Sequence, residues 1–271
     1  MKPLADRLRV PGSGFRVADH DPRATPGCAS REEGAERLAR NLQTIDELHY
    51  ALYAEGKQSL LIVLQGMDTA GKDGVIRKVM TAFNPNSCRV TPFKVPTPEE
   101  AAHDFLWRIH LAAPARGHVA IFNRSHYEDV LVVRVHDLVP REVWSRRYDE
   151  INEFERHLAR NGTRILKFFL HISRDEQRER LLARLNDRSK HWKFSAADLA
   201  ERTLWPKYQA AFQDALAKCS TKDAPWFVIP ADRKWYRDLA ISEIVARALE
   251  DMAPRPPKVK LDVKALKAKL R

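Results

Sequence analysis

Between Gly66 and Asp73 the chain reads Gly-Met-Asp-Thr-Ala-Gly-Lys-Asp, which places two glycines and a lysine at the spacing G-x-x-x-x-G-K. Glycines at those places let the backbone N–H groups of a loop close around an anion, and the lysine neutralises charge on a phosphoryl group. The chemistry implied is phosphate binding and phosphoryl transfer, with Gly66, Thr69, Ala70, Gly71, Lys72 and Asp73 as the phosphate-binding stretch. The same glycines could also form a plain strand-to-helix turn with a solvated lysine. What favours the phosphate loop is its setting, an apolar run before it and a helical pattern after it.

A loop of this kind usually carries Ser or Thr after the lysine, where the hydroxyl helps to hold Mg²⁺. Here Asp73 stands in that place. The second usual ligand is an acid at the end of the next buried strand, and the chain has Asn123 there, a weaker ligand for a hard cation. Asp68 is the carboxylate within the loop and is assigned the metal; Asp73 suits the first turn of the following helix. A general-base role for Asp68 depends on the acceptor, because a phosphate oxygen is already ionised at neutral pH.

Arg124 follows the strand that ends at Asn123, at the sheet edge where open α/β folds bind ligands, and is a candidate clamp for the phosphoryl in transfer. Downstream, Arg178, Arg180, Arg184, Arg188, Lys190 and Lys193 gather within twenty residues, with Arg180, Arg184 and Arg188 on one helix face. A solvated face is the ordinary reading of such a run. Its position after the fourth strand, and the helix-breaking sequence from Asn186 to Trp192, suit a lid over phosphates.

The elements that must position these groups follow from apolar patterning. Unbroken apolar runs at 60–65, 118–122, 164–172 and 226–231, with a weaker candidate at 88–95, read as strands buried on both faces. Helical patterns at 31–56, 72–83, 98–112, 140–160, 174–186, 196–218 and 235–252 alternate with them. Such alternation predicts an α/β three-layer sandwich with a five-stranded parallel sheet. Residues 1–30, rich in Pro and Gly, are expected as an irregular arm lying on the domain or left loose. Residues 31–253 form the domain, with a lid at about 176–200, and 254–271 a basic tail, frayed or briefly helical.

The chain has 271 residues and a formal net charge of +11, which favours a polyanionic partner without choosing among nucleic acid, lipid headgroups and phosphate polymers. No apolar run is long enough for a membrane span and the N-terminus lacks a signal core, so a cytoplasmic protein without a membrane partner is expected. Cys28, Cys88 and Cys219 match no zinc spacing or disulfide framework. Trp107, Trp192, Trp205 and Trp235 lie in apolar helical patterns and are expected to pack in the core or lid rather than to stack on bases.

The sequences GMDTAGKDG, FKVPTPEE, FNRSHYEDVLVVRVH, DEQRERLLARLNDRSKHWKFSAADL and PWFVIPADRKWYR, in unbroken order from about 35 to 252, resemble those of the polyphosphate kinase 2 family. The resemblance implies a P-loop kinase fold with a lid, Mg²⁺ dependence with Mn²⁺ as an alternative, and reversible phosphoryl transfer between inorganic polyphosphate and AMP, ADP and ATP. Carried over by motif, Asp68, Lys72 and Arg124 form the catalytic set, and Arg180, Arg184, Lys190 and Lys193 the lid cations. Asn123 followed by SHYEDVL resembles the branch that accepts nucleoside monophosphate as well as diphosphate. Phe93, Lys94, Asn123, Glu128, Asp129 and Arg134 are candidate contacts to that nucleotide. A polymer without bases needs repeated cations and little aromatic surface, which suits the lid and not a nucleic-acid groove. Direct in-line transfer needs no phosphohistidine, so His126 and His136 are given no covalent role. The family also leads to the expectation of a homo-oligomer, dimer or tetramer. Two other readings stay open: an ATP-dependent nucleotide or small-molecule kinase of the same fold, and a non-catalytic polyanion-binding module.

Overall fold

The computed structural model describes residues 3–12 and 14–270, the side chains at 193, 196 and 264 excepted. In chain order the elements are α1 (Leu4–Leu8), α2 (Arg31–Glu55), β1 (Ser59–Gln65), α3 (Lys72–Lys78), β2 (Cys88–Pro92), α4 (Pro98–Ala101), α5 (Trp107–Leu111), β3 (Val119–Asn123) and α6 (Val132–Val135). There follow α7 (Arg141–Trp144), α8 (Arg147–Arg160), β4 (Thr163–His171), α9 (Arg174–Leu185), α10 (Ala196–Thr203), α11 (Trp205–Cys219), β5 (Trp226–Pro230), α12 (Lys234–Met252) and α13 (Val263–Lys269).

All five strands are parallel, in the order β2-β3-β1-β4-β5. β1, SLLIVLQ, is buried at all seven residues because it has neighbours on both edges and helices on both faces. Its register decides what meets the loop that follows it. Leu64 pairs with Asn123 of β3 and Gln65 with Phe169 of β4, so the chain leaves β1 between the ends of those two strands. The Arg124 amide extends the ladder by donating to the Leu64 carbonyl at 3.1 Å.

α2 starts at Ser30, whose side chain accepts from the Glu33 amide, and stops at Gly56 with φ 64°. It packs along α12, which is buried over most of its length. Several helical patterns divide. The 98–112 pattern becomes α4 and α5, the second turn opened by the Asp104 carboxylate accepting from the Leu106 amide at 2.9 Å. The 196–218 pattern breaks at Leu204, because Pro206 in the first turn of α11 has no N–H to continue α10. The 140–160 pattern divides into α7 and α8, and 72–83 into α3 and a 3₁₀ turn at Met80–Ala82.

The N-terminal arm is less irregular than its prolines suggest. It contains α1 and a 3₁₀ turn at Val17–Asp19, and Leu4, Leu8, Val10, Phe15 and Val17 are buried in the core. Arg9 forms an antiparallel bridge to Phe227, and the Val10 amide donates to the Trp226 carbonyl, so the arm covers the free edge of β5. At the other end α13 carries Lys267 and Lys269 in its last turn, with Val263 and Leu266 exposed. Among the described residues no helix is long and apolar enough to cross a membrane.

Candidate active site

The loop after β1 is held by close backbone packing. A Cβ on Gly66 would come within 2.8 Å of the Leu170 carbonyl on β4, so only glycine fits there. Thr69 is left-handed at φ 67°, and Gly71 at φ 104° opens α3. Lys72, the first residue of α3, is buried, and its Nζ turns back to donate to the carbonyls of Gly66 at 2.8 Å and Met67 at 3.4 Å. Its pKa is lowered to about 8, chiefly by burial and then by the Arg124 charge, against the opposing pull of Asp68, Glu128 and Asp73.

Across from the lysine, Arg124 donates to Asp68 Oδ1 at 2.7 Å and to Glu128 Oε2 at 3.2 Å. The contact follows from register, since Arg124 continues β3 while Asp68 leaves the adjacent β1. Arg124 is itself left-handed, at φ 65°. Two non-glycine residues in that conformation within one site is the kind of backbone strain that collects at functional loops. Asn123 Nδ2 donates to Asp73 Oδ1 at 3.0 Å, so the two residues that replace the usual metal ligands are bonded to each other.

α9 closes the opposite side. Gln177, buried, donates to the Asp68 carbonyl at 3.2 Å and is held by Arg202 of α10 at 2.8 Å. Arg180 donates Nη1 to the Thr69 and Ala70 carbonyls, Nη2 to those of Ala231 and Asp232, and Nε to Glu176. A guanidinium has five N–H donors, and all five are engaged. Arg180 therefore fastens the phosphate loop to the end of β5 with its guanidinium.

In front of the loop lies a cavity of about 490 Å³. Nine Lys or Arg line it against two Asp: Lys72, Arg77, Lys94, Arg124, Arg180, Arg184, Lys190, Lys234 and Arg237, with Asp68 and Asp73. The expected residues Thr69, Gly71, Phe93, Lys94, Asn123, Arg184 and Lys190 all line it, Phe93 as a buried ring edge-on to Phe122. The Lys193 side chain lies outside the described residues. Three cations escaped the sequence reading: Arg77 on α3, and Lys234 and Arg237 on the first turn of α12. Arg237, paired with Asp238 at 2.7 Å, lies over the start of α3, so that a Cβ on Gly71 would fall 2.0 Å from its Nη1. A signal for the α12 pair was present, because they follow the carboxyl end of a parallel strand, where ligands bind.

Other expected contacts do not reach this cavity. Asp129 accepts from Arg147 at 2.9 Å, and burial raises its pKa to about 6 even with that partner beside it. Arg134 is held by Asp214 at 2.7 Å and the Tyr148 hydroxyl at 3.0 Å, with Trp144 beneath it. Both sit on the turns after Arg124 but face the helical layer, which supplies charged partners the sequence pattern cannot show. Glu128 lines a smaller recess with Asp68, Gln177 and Glu201, behind the Arg124 guanidinium. His126 is fully buried against Glu155, and His136 contacts Glu201 at 2.8 Å. Trp235 packs edge-on to Tyr236, whereas Trp192 stands on the lid surface rather than in a core.

A parallel sheet of order 2-3-1-4-5, a glycine–lysine loop after its central strand and a cationic helical cover define a P-loop kinase-type phosphotransferase fold. The chain belongs to the polyphosphate kinase 2 (PPK2) family, whose profile matches residues 28–257. It is 50% identical over 248 residues to the AMP/ADP-polyphosphate phosphotransferase of Meiothermus ruber, covering 91% of this chain and 93% of that one. It is 43% identical over 266 residues to the ADP-polyphosphate phosphotransferase of Rhodopseudomonas palustris, covering 93% and 92%. The crystal structure of polyphosphate kinase 2 from Arthrobacter aurescens TC1 superposes with a TM-score of 0.95 at 46% identity, covering 99% of this chain and 96% of that one.

Proposed function

We infer that the protein transfers the terminal phosphoryl group of inorganic polyphosphate to AMP and ADP, reversibly. The observation that carries this reading is the cavity wall, where nine cations face two carboxylates beside the phosphate loop. A surplus of that size fits a substrate bearing a charge on every unit. The names of the two relatives support polyphosphate as donor and ADP as acceptor, and that of the relative at 50% identity adds AMP.

In this reading Lys72 and the loop amides hold the phosphoryl in transfer. Arg124 bridges toward it from β3 and stabilises charge spread over its equatorial oxygens. Arg184, Lys190 and Lys234 hold the donor chain, and Phe93, Lys94 and Asn123 meet the acceptor nucleotide. No general base is required, because the attacking phosphate oxygen is already ionised. Transfer is in-line and direct.

Among the described residues no three acidic, His or Cys side chains gather as a metal cage. That suits Mg²⁺, or Mn²⁺ in its place, since such an ion is held by one or two carboxylates with phosphate oxygens and water completing its shell. Asp68, on the cavity wall, is the residue that would hold it; the bound ion would neutralise charge on the phosphates. A homo-oligomer working in the cytoplasm is the setting assumed.

The test supplies AMP, Mg²⁺ and either polyphosphate or ATP, and separates the products by ion-exchange chromatography. ADP and ATP are expected with polyphosphate as donor. Product with ATP alone would favour an ordinary nucleotide kinase. Lys72→Ala should abolish turnover; a protein that never turns over yet binds polyphosphate equally with and without Lys72 would be a binding module.

A further inference from the structure

Directly beneath Arg124 the next turn of chain stands on polar side chains that water does not reach. Lys167 of β4, wholly buried, donates to Glu155 Oε2 at 2.5 Å, to the Tyr127 hydroxyl at 2.8 Å and to the Cys219 carbonyl at 2.6 Å. Glu155 of α8, also wholly buried, accepts from the Tyr127 hydroxyl at 3.0 Å and meets His126 Nε2 at 3.1 Å. All three ammonium protons are thereby matched, and two consecutive residues of the turn end on one carboxylate. The turn's first residue is pinned too: the Ser125 hydroxyl accepts from Gln65, the last residue of β1, at 3.1 Å.

Burying an ion pair costs several kcal/mol per ion, and apolar replacements of similar shape are often as stable or more so. Stability therefore does not account for the pair, and its location does. The pair links β4, α8 and the turn that follows Arg124 at once. Arg124 is held left-handed, a strained conformation that persists only where surrounding bonds over-determine the backbone. From that backbone its guanidinium reaches Asp68 and Glu128.

We propose that Glu155, Lys167 and Tyr127 are positioning residues for phosphoryl transfer, holding the turn after β3 so that Arg124 is aimed at the transferred group. The proposal rests on the reading of Arg124 as a phosphoryl clamp. Tyr127→Phe removes one hydroxyl and keeps the ring that packs edge-on to Trp226. It should lower kcat about tenfold while KM for AMP and polyphosphate stays within about twofold, as expected when a reacting group is misplaced rather than lost. In an Arg124→Lys background the same change should cost less than about twofold, because the group being aimed is already altered. Glu155→Gln/Lys167→Met, made together and checked for native circular dichroism, should show the same kcat loss; if that double variant fails to fold, Tyr127→Phe decides. Parental kcat in Tyr127→Phe, or an equal loss in both backgrounds, would overturn the positioning role alone. Parental kcat in Arg124→Lys itself would instead remove the clamp reading, and the proposal with it.

Discussion

Arg180 and Arg184 lie one helical turn apart on α9, and exchanging each for Gln should produce opposite signatures. Arg180→Gln removes donors to four backbone carbonyls and one carboxylate from a side chain that is 9% exposed. Breaking a buried charged arrangement of this kind costs about 3–5 kcal/mol. In a chain of this size each kcal/mol moves Tm by about 2–4 °C, so a fall of roughly 6–20 °C is expected. Arg184 instead lines the cavity, 26% exposed, with the Asp198 carboxylate at 3.9 Å. Its loss should lower Tm by less than the loss of Arg180 does. A unit charge about 6 Å from a phosphate oxygen, between dielectric constants of about 20 and 80, contributes roughly 0.7–2.8 kcal/mol. KM for polyphosphate should therefore rise between about threefold and a hundredfold, with a shallower dependence on ionic strength. Differential scanning fluorimetry and steady-state kinetics at low and high salt read both effects. An Arg180→Gln protein as stable as its parent, or an Arg184→Gln protein with an unchanged salt profile, would refute this division of roles.

Three further outcomes are expected. Asp68→Asn, which removes the proposed metal carboxylate and weakens the partner of Arg124, should lower kcat by about 10²–10³, whereas Asp73→Asn should cost less than about threefold; the reverse ranking would move the proposed metal position to Asp73. Because burial holds the Lys72 amine near pKa 8, it is charged below that pH and loses its proton above it, so kcat/KM should fall as pH rises through about 8. Lys72→Arg should lack that limb in whatever activity it retains, and a profile flat to about pH 9 in the parent would count against the buried amine. Finally, Gly71→Ala should destabilise by about 2–4 kcal/mol through its positive φ and the collision with Arg237. Gly74→Ala, helical without a positive φ and 3.0 Å rather than 2.0 Å from the Arg237 guanidinium, should cost clearly less, both read by thermal unfolding.

The sheet was legible because strands buried on both faces leave unbroken apolar runs, as in Leu60–Leu64 and Val119–Phe122. The loop was legible because its chemistry is local: Gly66, Gly71 and Lys72 act within seven residues of chain. Helix ends were less so, since a Pro at 206 and a turn-forming Asp at 104 interrupt patterns that remain periodic across the break. The division between Arg180 and Arg184 was not legible at all. Both share a charge, a helix and a face, and what distinguishes them includes backbone carbonyls far off in sequence, those of Thr69 and Ala70 in the loop and of Ala231 and Asp232 after β5. The same holds for Arg134 and Asp129, whose partners Asp214 and Arg147 come from other helices.

The cation-lined wall also bears on how a polymer would advance along it. A chain of identical anions displaced by one unit offers the same charges to Arg184, Lys190, Lys234 and Arg237, so successive registers are nearly degenerate in energy. Removing the terminal phosphate would leave the remainder free to slip forward without releasing its grip. That continues until the chain is too short to span the wall, where affinity drops with each further unit. A length threshold for the donor would thus be written into the reach of the wall itself, with no residue dedicated to measuring it.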